Sequence, residues 1–336
     1  MTEEAPFFSV IIPVHNTASY LEECIQSVLH QSYEHLELIV VDDGSTDNSR
    51  QILDDMAQGD QRLRVFSKEN GGQGAARNYA LSRARGRYIA FVDSDDTVSL
   101  DLLARMEKVI TDSDADVVSF GIEFVDGQGR VVARRGPESD TSSTDASVFV
   151  DAMLDRNFHS VIWNKVYRRA LLAEHDIRFP ALRAYEDSIF SRHVALHARK
   201  VVYLGQPLYR ALTRSGSTSR GMNEASFTRA AEMLALERSM FRDQFADPAL
   251  ATVFRAHVTH FLAYLMVLAA FRIDDPKVRA SCRRIADEAG FRDSASDPHA
   301  IALLDTKAKV QVFLARHPRL LRNAALVARR LGRVPY

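Results

Sequence analysis

The chain of 336 residues holds only two cysteines, Cys24 and Cys282, and a single tryptophan, Trp163. Two distant cysteines give no disulfide framework, and Cys24 lies on the helically spaced stripe Leu21, Cys24, Ile25, Val28, Leu29, so it reads as a core residue. The expectation is a disulfide-free protein of a reducing compartment. An excess of either charge is also missing: 43 basic and 44 acidic side chains leave a formal net charge of -1, which argues against nucleic acid as a partner. Long hydrophobic runs are absent too. The longest stretch without Asp, Glu, Lys or Arg, Ala256 to Phe271, contains His257, Thr259 and His260 and reads as a buried core helix, not a membrane span. The acidic start Met1-Thr2-Glu3-Glu4 is unlike a secretory signal, so a soluble, cytoplasmic protein is expected. No Gly-x-Gly-x-x-Gly follows the first strand signal, and no Gly-Lys-Ser/Thr loop occurs. A dehydrogenase of the dinucleotide-binding kind and a phosphate-loop hydrolase or kinase are therefore disfavoured.

What remains is an ordinary globular composition, 46% hydrophobic and 26% charged, arranged in alternating signals. Apolar runs at Phe8–Ile12, Leu36–Val41, Leu63–Phe66 and Tyr88–Val92 read as strands, the first stopped by Pro13. Amphipathic segments at Tyr20–His30, Asn48–Met56, Gln73–Ala84 and Leu100–Ile110 read as helices. Such a rhythm predicts an α/β domain, Rossmann-like, with a mostly parallel sheet and helices on both faces. Val117–Phe124 should be a further strand, and Asp126-Gly127-Gln128-Gly129 a turn into Val131-Val132-Ala133. The polar run from Gly136 to Asp145 reads as an exposed loop, and Trp163 to Tyr209 as a mixed segment. Strand signals end after Thr213–Arg220. The expected division is therefore a domain over residues 1–220 and a C-terminal α-helical domain over 221–336.

The strand ends carry the chemistry. Strand one runs into Pro13-Val14-His15-Asn16, strand two into Asp42-Asp43-Gly44-Ser45, and the fourth into Asp93-Ser94-Asp95-Asp96. Open α/β sheets bind ligands at that edge. Closely spaced carboxylates there suit Mg²⁺ or Mn²⁺, which take a few carboxylates together with diphosphate oxygens. A turn followed by a helix cap explains part of each cluster, with Asp47 or Asn48 capping the second helix. Asn70-Gly71-Gly72-Gln73-Gly74-Ala75-Ala76-Arg77-Asn78 opens a helix that either approaches a diphosphate or packs closely on its neighbours.

Ser9–Asn16, Val40–Asp47, Gly72–Asn78 and Phe91–Asp96 occur in the order and spacing of family 2 glycosyltransferases, and the chain resembles an inverting, metal-dependent member over roughly residues 7–215. The resemblance implies the glycosyltransferase A fold and a UDP-sugar donor. It implies a nucleotide-sugar site built from Pro13, Val14, His15, Asn16, Asp42, Asp43, Arg77, Asp93 and Ser94. Pro13, His15 and Asp43 would hold the base, Asp42 would support their loop, and Arg77 would lie near the diphosphate. Asp93 would contact ribose or sugar, and Asp95 would ligate Mn²⁺ or Mg²⁺. His15 departs from the Tyr common in the family, although a His ring can also stack on a base.

Trp163-Asn164-Lys165 and Tyr185-Glu186-Asp187 resemble two motifs of bacterial members that decorate cell-surface polymers. The first would line the acceptor side, although Lys165 also reads as a surface residue. Inversion needs a carboxylate to take the acceptor proton. Glu186 and Asp187 are the candidates, and the resemblance places the base at Asp187. Acids favoured by a helix N-terminus are the plainer explanation of the pair. The Gln-x-x-Arg-Trp motif of processive synthases is absent, which favours transfer of a single sugar to a saccharide or lipid-linked acceptor. A non-catalytic nucleotide-sugar-binding assembly subunit of the same fold is the alternative. Past Asp305 there is no acid, while Lys307, Lys309, Arg316, Arg319, Arg322, Arg329, Arg330 and Arg333 interleave with apolar residues. Such helices can lie on anionic lipid at the inner face of the plasma membrane, self-associate, or pack on the domain with their charges in water.

Overall fold

A computed structural model describes residues 5–137, 139–144, 146–213 and 223–330. The chain divides into two compact units, Met1–Ser215 and Gly216–Tyr336. The boundary expected near residue 220 lies outside the described residues.

The first unit is built on β1 (Phe8–Val14), β2 (Leu36–Asp42), β3 (Leu63–Ser67), β4 (Tyr88–Phe91), β5 (Thr97–Val98), β6 (Val117–Val125), β7 (Val131–Arg135), β8 (Thr141–Thr144), β9 (Lys165–Arg168) and β10 (Lys200–Leu212). Their order is β3-β2-β1-β4-β9-β6-β10-β5, with β7 on β6 and β8 on β10. Strands β3, β2, β1 and β4 pair in parallel, as do β6 and β10. Strand β9 runs antiparallel between β4 and β6.

Alternate residues explain why the strands are apolar throughout. Val10, Ile12, Leu38 and Val40 enter one core with Leu21, Cys24 and Ile25 of α1 (Ala18–Leu29) and Leu53 of α2 (Ser49–Ala57). Ile11, Ile39 and Val41 face the other side, against Ala76 and Ala80 of α3 (Gln73–Leu81). Helix α4 (Leu102–Ser113) adds Met106 and Ile110 to the first core. The second core is completed by α5 (Ala146–Met153), α6 (Arg169–Glu174) and α7 (Glu186–His197). A sheet covered on both faces buries every residue of β1 and β2.

Two expectations change. Pro13 does not stop β1, which pairs with β2 as far as Val14. Ile11 accepts from the Val92 N–H, so odd residues of β1 face β4, and β4 has ended before Pro13 would need to donate. The loop expected over Gly136–Asp145 contains β8, which pairs with Lys200–Tyr203 of β10.

The second unit is helical: α8 (Glu224–Met240), α9 (Pro248–Arg272), α10 (Pro276–Glu288), α11 (Phe291–Ser294), α12 (Pro298–Ala302), α13 (Thr306–Arg316) and α14 (Pro318–Arg330). Asp247, Asp275 and Asp297 each stand before a proline and accept the N–H of the second helical residue, which starts α9, α10 and α12 cleanly. Helix α9, at 25 residues, is long and apolar enough to cross a membrane, yet 72% of its most apolar stretch is buried within the protein. Helices α10 to α14 pack around it.

Candidate active site

The site forms where β1, β2 and β4 end. Past β2, Asp42 Oδ1 accepts the Ser45 N–H at 3.0 Å and closes the turn, while Gly44 takes φ +72°, a conformation costly for residues with a Cβ. Asp43 faces the other way and is almost fully buried. Its Oδ1 accepts from Lys68 Nζ at 2.6 Å and the Gly71 N–H at 3.0 Å, and its Oδ2 accepts the Gly72 N–H at 2.8 Å. The glycine run therefore presents backbone donors to Asp43 as well as permitting close packing: a Cβ on Gly74 would stand 3.2 Å from Phe179 Cβ and 3.4 Å from Glu186 Cγ. Lys68 has no motif to announce it.

Past β1, His15 and Asn16 are exposed, whereas Pro13 and Val14 are buried in the strand. His15 Nδ1 lies 3.0 Å from the Asp43 carbonyl oxygen and 3.1 Å from Asn70 Nδ2. Asn16 adopts φ +54°, and its Oδ1 accepts the Thr46 N–H at 2.7 Å, tying the first strand end to the second. Asp47 does more than cap. One oxygen accepts the Ser49 N–H and the other the Ala18 N–H, both at 3.0 Å, so it joins the starts of α1 and α2; Asn48 makes no side-chain cap bond.

Past β4, Ser94 is buried and accepts from Thr17 Oγ1 at 3.0 Å, while Asp95 is partly exposed beside it. Asp96 is turned inward. It accepts from Tyr209 Oη and from the Leu212 N–H, both at 2.7 Å, and burial together with Asp93 pushes its carboxyl up to about 8. Tyr209 Oη in turn accepts the Asp93 N–H at 3.0 Å, and its ring stacks on Trp163 at 4.5 Å. Tyr209 is thus a site residue that no sequence motif marks.

Arg77, one turn into α3, has no exposed surface. Its Nη2 donates to Asp93 Oδ1 at 2.8 Å and its Nη1 to Asp187 Oδ1 at 2.7 Å, with Glu186 Oε1 at 3.7 Å. Expected beside a diphosphate, it instead directs its donors at three carboxylates. Burial opposes its charge, but Asp187, Asp93 and Glu186 outweigh that and hold it above its ordinary value. Asp187 is pushed up to about 7, by burial first and then by Glu186 and Asp93, with Arg77 opposing. Tyr185, immediately before the pair, sits at φ +66°, a strained conformation for a bulky residue that sets the entry into α7.

Two acceptor-side expectations need correction. Asn164 and Lys165 are fully buried, so neither presents a face to an acceptor, and Lys165 is not a surface residue. Lys165 Nζ donates to the carbonyls of His159 and Val161 and to Asn164 Oδ1 at 2.6–2.7 Å. Burial pulls its ammonium down to about 7 against the pull of Asp155 and Asp187. These residues pin the segment that carries Trp163.

A doubly covered sheet whose strand ends bring Asp43, Asp93 and Asp95 to one edge, with Asp187 at the start of α7 tied to Asp93 through Arg77, defines an α/β protein of the glycosyltransferase A fold. The Glycosyl transferase family 2 model matches residues 9–193, and the chain belongs to that family. Staphylococcus aureus TarS 1-349 in complex with UDP-GlcNAc superimposes with a TM-score of 0.74 at 23% identity, covering 97% of this chain and 92% of that one. In sequence, the glycosyltransferase GlyG of Streptococcus pneumoniae is 33% identical over 66% of this chain and 75% of its own length. EpsH of Bacillus subtilis is 34% identical over 61% of this chain, and the match spans only 60% of EpsH. TarS, a poly(ribitol-phosphate) beta-N-acetylglucosaminyltransferase, is 32% identical over 68% of this chain and 40% of its own length.

Proposed function

We propose that the chain is an inverting glycosyltransferase that moves a single sugar from a UDP-sugar to a saccharide or lipid-linked acceptor of a cell-surface glycan. The observation that carries this reading is the meeting of Asp93 and Asp187 on one guanidinium. It stands a carboxylate raised to about 7 beside the donor-side strand end. A general base is best when its pKa lies near the working pH. The donor class is supported by the fold shared with TarS in its UDP-GlcNAc complex.

In this mechanism His15, Asn16 and Asp43 border the nucleobase, and Asp93 and Ser94 orient the ribose and sugar. Asp187 Oδ2, which makes no hydrogen bond among the described residues, takes the acceptor hydroxyl proton. The acceptor oxygen then bonds to donor C1 from the face opposite the diphosphate, and the diphosphate leaves with the electrons of its own C1–O bond. Among the described residues no three His, Cys, Asp or Glu side chains are grouped to hold an ion alone. Asp95, partly exposed past the end of β4, is the carboxylate that would hold a Mn²⁺ or Mg²⁺ ion beside the donor's diphosphate. Such an ion would neutralise charge on the leaving group. The reading extends to a cytoplasmic protein that touches anionic lipid through α13 and α14. There Val310, Phe313, Leu320, Leu326 and Val327 are exposed among Lys307, Lys309, Arg316, Arg319 and Arg322.

The test is release of nucleoside diphosphate from UDP-GlcNAc, UDP-glucose, UDP-galactose and GDP-mannose with Mn²⁺, paired with thermal stabilisation by UDP and GDP. UDP release together with stabilisation by UDP is expected. A protein neither stabilised by UDP nor able to cleave any UDP-sugar would overturn the reading.

A further inference from the structure

A buried guanidinium is tolerated only when its partners repay the lost hydration, so the partners of Arg77 identify its task. Two of them, Asp93 and Asp187, lie 16 and 110 residues away in sequence, one at the end of β4 and the other at the start of α7. Gln73 Oε1 accepts from Nη2 at 3.3 Å, and Nε is buried without a partner, so no donor of this side chain is turned to solvent. Beneath it the Phe179 ring centroid lies 5.4 Å from Cζ, and that ring stacks on Phe190 of α7 at 4.2 Å. Asn78, next to Arg77 on α3, locks Phe179 in place. Its Nδ2 donates to the Phe179 carbonyl at 2.8 Å, and its Oδ1 accepts the Phe179 N–H at 2.9 Å. The platform under the guanidinium is thus fixed to the helix that carries it.

We propose that Arg77 is a positioning residue that ties Asp187 to Asp93, so that the proton acceptor and the donor-side carboxylate are held in one rigid unit. This rests on the reading of Asp187 as the base. By occupying Asp187 Oδ1, the guanidinium dictates that Oδ2 receives the proton. Its charge, together with that of Lys165, favours the ionised form of Asp187 and partly offsets burial, Glu186 and Asp93. The planar fork is essential, because it places two separate nitrogens on two carboxylates; the ammonium of a lysine is a single point charge. A diphosphate-binding arginine would need an exposed nitrogen, and Arg77 has none.

The experiment compares wild type, Arg77→Lys and Arg77→Met for UDP release at saturating UDP-sugar across pH, and for UDP affinity. In Arg77→Met the acid limb of the kcat profile should move up by roughly one to three pH units, because an opposite charge that favoured ionisation has gone. In Arg77→Lys, which keeps the charge and loses the fork, kcat should fall by about tenfold or more while UDP affinity holds. If Arg77→Met does not fold, Arg77→Lys alone decides. Near-normal kcat in that variant, or a loss confined to UDP affinity, overturns the proposal. So does an acid limb that stays put in Arg77→Met. A wild type that binds UDP but releases none from any UDP-sugar overturns the underlying reading instead, so the two failures are told apart.

Discussion

Replacing Asp187 by Asn removes a proton acceptor without changing shape, and it should lower kcat by roughly 10²–10⁴. Donor affinity should barely change, because Asp187 reaches the donor side only through Arg77. The structure adds a pH signature. With the carboxyl raised to about 7, roughly half of it is ionised at pH 7 and about a tenth at pH 6, so wild-type kcat should fall about tenfold per unit below that point. Stability moves the opposite way from the usual carboxylate. The folded pKa is above the unfolded one, so the native state binds the proton more tightly, and stability declines as pH rises from about 4 to about 7. Ionising this carboxyl in the fold rather than in the unfolded chain costs roughly 4 kcal/mol, an upper figure given that 28% of the side chain is exposed. Asp187→Asn lacks this penalty. It should come closest to wild type in Tm near pH 4 and exceed it increasingly up to about pH 8 while being far less active. Rate profiles and thermal melts at both pH values, run beside Glu186→Gln, supply the assay. A variant whose Tm drops below that of wild type as pH rises would mean the Arg77 ion pair outweighs burial. Near-normal transfer by Asp187→Asn with collapse in Glu186→Gln would give the base role to Glu186.

Asp95→Ala should abolish UDP release and weaken UDP binding in Mn²⁺ to the level seen in EDTA; calorimetry showing the same Mn²⁺ dependence in variant and wild type would refute the metal assignment. Lys165→Met should lower stability by about 3 kcal/mol, because it strands the His159 and Val161 carbonyls and Asn164 Oδ1 inside the fold. An unchanged melting temperature with lost transfer would instead put Lys165 on the substrate. Flotation with phosphatidylglycerol vesicles should recover the full chain and lose it in Arg319→Glu/Arg322→Glu; equal recovery would retire the lipid surface.

The parts of this chain legible in its sequence are those whose cause is local. Strands β1 and β2 are readable because burial on both faces leaves unbroken apolar runs, and α1 because its stripe ends in Val28 and Leu29. Strand β8 is hidden because Thr141-Ser142-Ser143-Thr144 carries no alternation, and only its pairing with β10 makes it a strand. The direction of β9 is equally invisible, since an apolar run does not say which way it enters a sheet. Motifs locate Asp43, Asp93 and Asp187 but not what they hold. That Asp43 anchors Gly71, Gly72 and Lys68 depends on a partner beyond β3, and that Asp96 turns inward depends on Tyr209 at the far end of β10.

The same logic explains why the acid pair is ambiguous in sequence and why its surroundings decide between the two explanations. Acids at a helix start relieve the helix dipole wherever they lie, and that effect needs neither burial nor a cation. Glu186 and Asp187 have both. Helix α7 buries Ile189, Phe190, Ser191, Arg192, Val194 and Ala195, a spread too wide for an amphipathic surface helix, so its first turn is pressed inward rather than left in water. Pressing two carboxylates and Asp93 together is unfavourable by repulsion and by desolvation, and a fold selected for stability alone would separate them. Here a buried arginine, a strained Tyr185 and a glycine at position 74 that admits Glu186 hold them close instead. Unfavourable local choices that converge on one spot mark a site kept for its chemistry, and that convergence separates Asp187 from an ordinary first-turn acid.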